Sequence, residues 1–322
     1  MVPVTPSFPL FKLPYLAWSN VLGSMNQLDL IQLSLCCKNM KYAVRSLFRK
    51  PNECCIEYEE GQLIIFVSGA LSVAVGLQLC DLLHSGPCTM RFHEGRTIKL
   101  LGVENFRPKN WFDHIVGVFN VQRISSLSFK IIPSFELIDP RILRNLTEGL
   151  EISQLNTSTN VRTYNIGLLL DTFPNIQNLR LSLKPGSLPQ IVERKYNSIY
   201  FVFSISVNEI LSLKAKFISV PVYDYEFNKV LKKWVEGWHP LLTGMKLRLQ
   251  RWEEPTTVFE GVFDGIDHQG PLITEKGIQF TIKNSKGISA TITFNKPTKV
   301  VVLAPNQVKT TDVDMLVADH QL

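Results

Sequence analysis

The feature that most constrains this chain is a succession of three short amphipathic segments within residues 8–48, FPLFKLPYLAWSNVLGSMNQLDLIQLSLCCKNMKYAVRSLF. Leu13-Pro14 opens the first, because proline brings a preset φ and lacks only an N–H that a first helical turn leaves unused. Pro14, Trp18, Val21, Leu22 and Met25 then recur at i, i+4, i+7, i+8 and i+11, one apolar stripe that predicts a helix. Asn26, with Asp29 three residues on, predicts the N-cap of a second helix, since a short side-chain acceptor satisfies its first free N–H groups. Leu28, Leu30, Ile31, Leu33 and Leu35 point around most of that helix rather than along one stripe. In the third segment Met40, Ala43, Val44, Leu47 and Phe48 share a side, and Lys38, Lys41, Arg45 and Arg49 take the other. A unit of about 40 residues is at the lower limit of what a single core stabilises. A helix that is apolar all round must be covered on both sides, so the pattern predicts neighbours in the chain on one side and a partner protein on the other.

The leucine-proline opening, the step Gln27-Leu28-Asp29-Leu30 and the segment Ser34-Leu35-Cys36-Cys37-Lys38 resemble an F-box. That resemblance implies docking on the Skp-type linker of a cullin–RING ubiquitin ligase. It puts Leu13, Pro14, Leu16, Val21, Leu22, Leu28, Leu30 and Leu33 on partner-facing or core positions, two roles the residues alone do not separate. An ordinary helical N-terminal subdomain is the alternative reading.

With 322 residues, 45% apolar and 19% charged, the chain is long enough for two domains, and global disorder is excluded. Its net charge of +6 is spread along the sequence rather than gathered in a block, which argues for solvated surface and against a dedicated nucleic-acid binder. The six cysteines lie at positions 36, 37, 54, 55, 80 and 88, with two adjacent pairs, and suit no disulfide framework. The N-terminus lacks a basic region followed by an uninterrupted apolar run, so we expect no signal peptide and a cytoplasmic or nuclear setting. Residues 63–80 carry no charge and approach the length of a membrane span. Ser68, Gly69, Ser72, Gly76 and Gln78 dilute the run, and Ser68-Gly69 is expected to break it into a strand and a following helix.

Cys80, His84, Cys88 and His93 are residue types that bind zinc. Their spacing departs from the usual paired knuckles, and Ser85-Gly86-Pro87 would carry a turn through the site, so the expectation is buried thiols and loop histidines without metal or other cofactor. Lys50-Pro51-Asn52 closes the helical module. Residues 54–58 and 63–67 read as two strands around a turn.

From residue 110 a loose repetition sets in. Residues 111–119 read as helix and lead to a strand at 124–129; the same order recurs at 141–145 and 150–152, 166–173 and 179–183, 207–213 and 215–218, and 227–234 and 245–249. Strand centres fall about 25 to 35 residues apart, as in an irregular leucine-rich-repeat-like array, whose units bury their apolar faces only by stacking. Phe173-Pro174-Asn175-Ile176-Gln177-Asn178-Leu179-Arg180-Leu181 matches the leucine-rich signature best. The W-x-x-H-x-x-x-x-F pattern of Trp111, His114 and Phe119, and the segment from Tyr225 to Gly237, are similar to the type 2 F-box-associated domain. After Pro255 the expected elements are strands at 258–263, 277–282, 288–294 and 300–303, then a mobile tail from Asn306.

The expected fold is thus α+β or α/β: a three-helix F-box at 8–50, a connecting segment at 51–109, an F-box-associated α/β domain at 110–305 ending in short strands, and a tail at 306–322. Phosphate-cradling, nucleophile-elbow, zinc-protease and dinucleotide motifs are all missing from the sequence, and the six histidines are dispersed. His114 reads as a packed or capping residue. The function expected is non-catalytic recruitment: the F-box holds the linker, the C-terminal array holds an unknown target protein, and other subunits transfer ubiquitin. Arg180, Lys216 and Arg248, all on predicted strands, are the candidate target-binding residues. The alternative is a protein-interaction module with no link to a ligase.

Overall fold

The computed structural model describes residues 12–48, 52–59, 62–68, 73–78, 89–94, 97–130, 139–157, 166–182, 188–238, 242–251, 261–295 and 309–317. The chain divides into two compact units, Met1–Ile152 and Ser153–Leu322.

The first unit opens with three helices, α1 (Tyr15–Gly23), α2 (Gln27–Cys36) and α3 (Lys38–Leu47). Strands β1 (Asn52–Glu59), β2 (Gln62–Ser68), β3 (Val73–Gln78), β4 (Thr89–Glu94) and β5 (Thr97–Gly102) follow as an antiparallel meander. Helix α4 (Pro108–Val118) then leads into β6 (Val121–Lys130), which runs parallel to β1. Proline fits the first turn of α4 for the reason given for Pro14. Helix α5 (Pro140–Leu146) and the short β7 (Glu151–Ile152), parallel to β6, complete the unit. Alternation decides the faces: Cys54, Ile56 and Tyr58 of β1 and Leu63, Ile65 and Val67 of β2 are buried, and the residues between them are not. Trp111, Phe112, Ile115 and Val118 of α4 are buried in the same core. Burial pushes the Cys54 thiol up to about 12, so this cysteine serves as apolar filling and not as a nucleophile.

The second unit repeats one step. Strands β8 (Gln154–Thr157), β9 (Asn178–Leu181), β10 (Lys195–Phe201), β11 (Lys214–Val222) and β12 (Gly244–Arg251) pair in sequence order, all parallel. A helix lies between each neighbouring pair: α6 (Ile166–Thr172), α7 (Leu188–Val192), α8 (Val207–Ser212) and α9 (Asp224–Val235). The register aligns Leu155, Leu179, Ile199, Ile218 and Met245 in one buried row, and burying such a row is what holds parallel strands in place. In α9, Phe227, Val230, Leu231 and Trp234 are buried, at the i, i+3, i+4 and i+7 spacing of one helix face. Beyond β12 the pairing turns antiparallel, through β16 (Lys309–Val317), β15 (Ser289–Asn295), β14 (Gly277–Lys283) and β13 (His268–Ile273).

Three expectations need correction. The uncharged run at 63–80 continues from strand into strand, not into a helix: Val67 pairs with Val73, and β2 with β3 as far as Gln62 opposite Gln78. Val73 and Val75 are β-branched and Gly76 disfavours a helix interior, so strand pairing prevails. Among the described residues no helix is long and apolar enough to cross a membrane. Residues 261–263 are helical, where a strand was expected; Asn228 Nδ2 donates to the carbonyls of Val262 and Asp264 at 2.9 Å and holds this turn against α9. The expected mobile tail contains β16, which lies between β12 and β15. Val313 and Met315 are buried there between Asp312, Asp314 and the exposed Leu316, a period-2 pattern too short to outweigh the polar composition around it. The strand expected at 300–303 lies outside the described residues, as do Cys80, His84 and Cys88; His93 is on β4. No group of three or more His, Cys, Asp or Glu among the described residues could hold a metal ion.

Because β16 is an inner strand, Met315→Ala should lower unfolding stability by about 2 to 5 kcal/mol, read from the urea midpoint. A loss below about 0.5 kcal/mol, the range of an exposed tail position, would contradict the placement.

Candidate partner-docking helices

Pro14, with a ψ of 149°, is the N-cap that precedes helix α1, and no side chain caps the helix there. Leu22 is its one buried residue, completely so, whereas Tyr15 is 45%, Leu16 73% and Val21 40% exposed. Pro14 is exposed beside them, and Tyr15 stacks edge-on against Trp18 at 4.8 Å between ring centroids. The expected cap of α2 is in place: the Asp29 N–H donates to Asn26 Oδ1 at 2.9 Å, and Asn26 Nδ2 donates to the Asp29 carboxylate at 2.7 Å. Leu28, Leu30, Ile31 and Ser34 of α2 are buried and Leu33 is half-buried. Cys37, in extended conformation, breaks α2 from α3, and α3 packs along α2 through the buried Ala43 and Val44.

The second side of α2 was expected to await a partner protein. Instead α4 of the same chain packs against both α2 and α3. At the seam the Ser34 hydroxyl donates to the Ile31 carbonyl at 2.6 Å and shares a 2.7 Å hydrogen bond with His114 Nε2. Ser34 is 3% and His114 7% exposed. Burial, and secondarily the nearby charge of Lys41, hold the His114 imidazole down from its usual 6.5 to about 4, so the ring is neutral at physiological pH. A Cβ added to Gly117 of α4 would stand 3.3 Å from Lys41 Cε and Nζ, so the end of the Lys41 side chain lies close over α4 at this point. Below the seam Phe48 meets Phe119 edge-on at 4.9 Å, while Arg45 donates to Asn120 Oδ1 and Asn120 Nδ2 to the Phe48 carbonyl, each at 3.2 Å. Asn120 has a φ of 51°, which asparagine tolerates better than most residues.

The eight residues singled out in the sequence therefore divide. Leu22, Leu28 and Leu30 lie in the internal core; Pro14, Leu16 and Val21 are exposed on or beside α1; Leu13 and Leu33 are half-buried. The sequence also left Tyr15 unassigned, although it is exposed next to Leu16. Of the candidate target-binding residues, Arg180 is exposed on β9, in register with Tyr200 of β10. Lys216 is exposed near the start of β11, and Arg248 on β12 is in register with Pro221. The three stand on three strands of one parallel sheet and do not converge on a single point.

The F-box domain family model matches residues 10–52, so this segment is an F-box domain. No curated protein matches the chain. Among solved structures, a SAM-dependent methyltransferase from Agrobacterium tumefaciens aligns at 8% identity over 83% of this chain and 90% of that one. Its TM-score of 0.15 makes the likeness too slight to bear on fold or activity.

The lowered His114 pKa fixes the sign of a pH effect. Neutral His114 is compatible with the seam, and the unfolded chain protonates first, so the stability it contributes is complete above pH 6.5 and is lost as pH falls towards about 4. The full loss is on the order of 3 kcal/mol. Urea unfolding at pH 7.0 and 4.5 should show a drop that shrinks in His114→Gln; an equal drop in both proteins would remove His114 as its source.

Proposed function

We propose that this chain is the substrate-recognition adaptor of an SCF-type cullin–RING ubiquitin ligase. F-box domains in general dock on Skp-type linkers, and F-box proteins are in general non-catalytic adaptors; residues 10–52 are such a domain. The observation that carries the reading is the split within α1, where Leu22 fills the core while Leu16, Val21 and Tyr15 turn an apolar surface outward. Exposed aliphatic and aromatic side chains grouped on one short helix mark a protein-docking site. In this reading Pro14, Leu16 and Val21 meet the linker, flanked by Leu13 and Leu33, while Leu22, Leu28 and Leu30 keep the helices in shape to do so.

The region from residue 110 is read as a type 2 F-box-associated, leucine-rich-repeat-like domain that holds a target protein. The support is the order of β8 to β12, parallel in sequence order with a helix at each step, as stacking units require. Arg180, Lys216 and Arg248 belong to its target-binding sheet. Catalysis in this scheme is proximity: tethering raises the effective concentration of a target lysine beside a transfer enzyme carried by other subunits, in the cytoplasm or nucleus, with no cofactor. Neither nucleic acid nor membrane has a part in it.

The test compares outward with inward positions. Leu16→Ala combined with Val21→Ala should abolish co-purification with a Skp-type linker while leaving the thermal unfolding midpoint within about 2 °C of wild type. Leu22→Ala should instead lower stability by about 2 to 5 kcal/mol. Undiminished linker capture by the double variant would leave a ligase-independent interaction module as the better reading.

A further inference from the structure

The antiparallel strands of the second unit have one apolar and one polar face. Leu272, Gln279, Thr293, Asp314 and Lys246 are successive register partners, a single row across β13, β14, β15, β16 and β12. Register partners share a side, and so do residues two apart, which puts the neighbouring row of Thr281, Thr291 and Leu316 on the same face. The opposite face carries the core, where Phe280, Ile292, Phe294, Val313 and Met315 are buried.

The polar face is hollowed. A cavity of about 440 Å³ opens on β14, β15 and β16, a volume within the range of binding sites, and Gln279, Thr291, Thr293, Asn295 and Asp314 are among its walls. Thr293, in the middle of the row, is only 7% exposed, and the other four are half-buried. Asn295 Nδ2 donates to Asp314 Oδ2 at 2.8 Å, which fixes the pair and leaves Asn295 Oδ1 and Asp314 Oδ1 available as acceptors. Gln279, Thr291 and Thr293 form no side-chain hydrogen bond among the described residues. The cavity is therefore walled by donors and acceptors that the protein itself does not use.

We infer that this cavity holds an extended, uncharged polypeptide segment laid across β14 to β16. Charge complementarity selects the class: the walls carry one ammonium, Lys276, and one carboxylate, Asp314, a balance that favours neither an anion nor a cation. Hydroxyls and a primary amide both donate and accept, as does a peptide main chain with one N–H and one C=O per residue. Leu272 and Leu316, 62% and 60% exposed on this same face, offer aliphatic contacts on either side. Three strand spacings separate β13 from β16, about 14 Å, the reach of about four extended residues. The segment thus carries aliphatic side chains about four positions apart with uncharged residues between them, a pattern that a sugar chain lacks. None of the register partners on this face is aromatic, so successive bases of a nucleic acid find no ring to stack on. The inference rests on the adaptor reading only for what the segment belongs to, namely the target.

The experiment pans the full chain against a phage-displayed random library of peptides about nine residues long, enough to cross the cavity. The chain carrying Thr293→Val and Gln279→Ala is the counter-target. Enriched peptides should have no net charge and two aliphatic residues about four positions apart. A fluorescein-labelled synthetic copy, read by anisotropy, should bind the full chain almost independently of salt, and about tenfold or more weakly after the two substitutions. Leu316→Ser, at an exposed position, should weaken it in the same direction, and it takes over as counter-target and test if the double variant fails to fold by circular dichroism. Enrichment of no peptide over the counter-target, a charged consensus, undiminished binding in a folded variant, or displacement of the peptide by maltotriose would each overturn the inference. So would self-association of the chain that Leu316→Ser abolishes, since a second copy would then be the occupant. Co-purification of a Skp-type linker from the same preparations tells the two readings apart: lost linker with retained peptide binding counts against the adaptor alone, and the reverse counts against the peptide site alone.

Discussion

Everything in the first unit depends on where helix α2 hides its leucines. A ten-residue helix with apolar side chains around most of its circumference needs cover on two sides, and here both covers come from the same chain. Helix α3 supplies one through Ala43 and Val44, and α4 supplies the other through the Ser34–His114 hydrogen bond, with Gly117 lying close against Lys41. A buried imidazole and a buried hydroxyl stay cheap only while they satisfy each other, so the seam is specific as well as apolar. The F-box is thereby part of the core of its unit rather than a bead on a linker. What remains unsatisfied is the outer face of α1.

This changes how an apolar N-terminal module is read. Leucines in such a segment do two jobs, and counting them does not say which does which. Leu22 and Val21 are neighbours in sequence, yet one is fully buried and the other 40% exposed, because a 100° step along the helix turns consecutive side chains to different surroundings. Substitutions at the two positions therefore report on different properties, one on stability and one on association.

The long-period organisation was legible in the sequence because each unit of the second half states it twice, once as a helical stripe and once as a strand. The stripe Phe227, Val230, Leu231 and Trp234 and the strand that follows it both stand where their spacing put them, and the cap Asn26–Asp29 was read from two residues. Three kinds of information were not local. Residues 73–78 pair as a strand because β2 lies beside them, and a window of six residues does not contain its partner. Strand β16 announces itself only through Val313 and Met315, set among Thr and Asp, and its true neighbours β12 and β15 are distant in sequence. The α4 seam needed Ser34 and His114, residues 80 positions apart that carry no shared pattern. Among the candidate site residues, Leu13, Pro14, Leu16 and Val21 were proposed from a motif, and which of the eight are exposed and which fill the core became visible only in the structure.

The central claim is that α1 engages a partner while α4 keeps hold of α2. Hydrogen–deuterium exchange of the full chain, with and without a purified Skp-type linker, measures both halves at once. The account predicts slowed exchange within residues 15–23 on adding the linker and no change within residues 108–118. Unchanged exchange in α1, or faster exchange in α4 as the linker pulls the F-box off its seam, would contradict it.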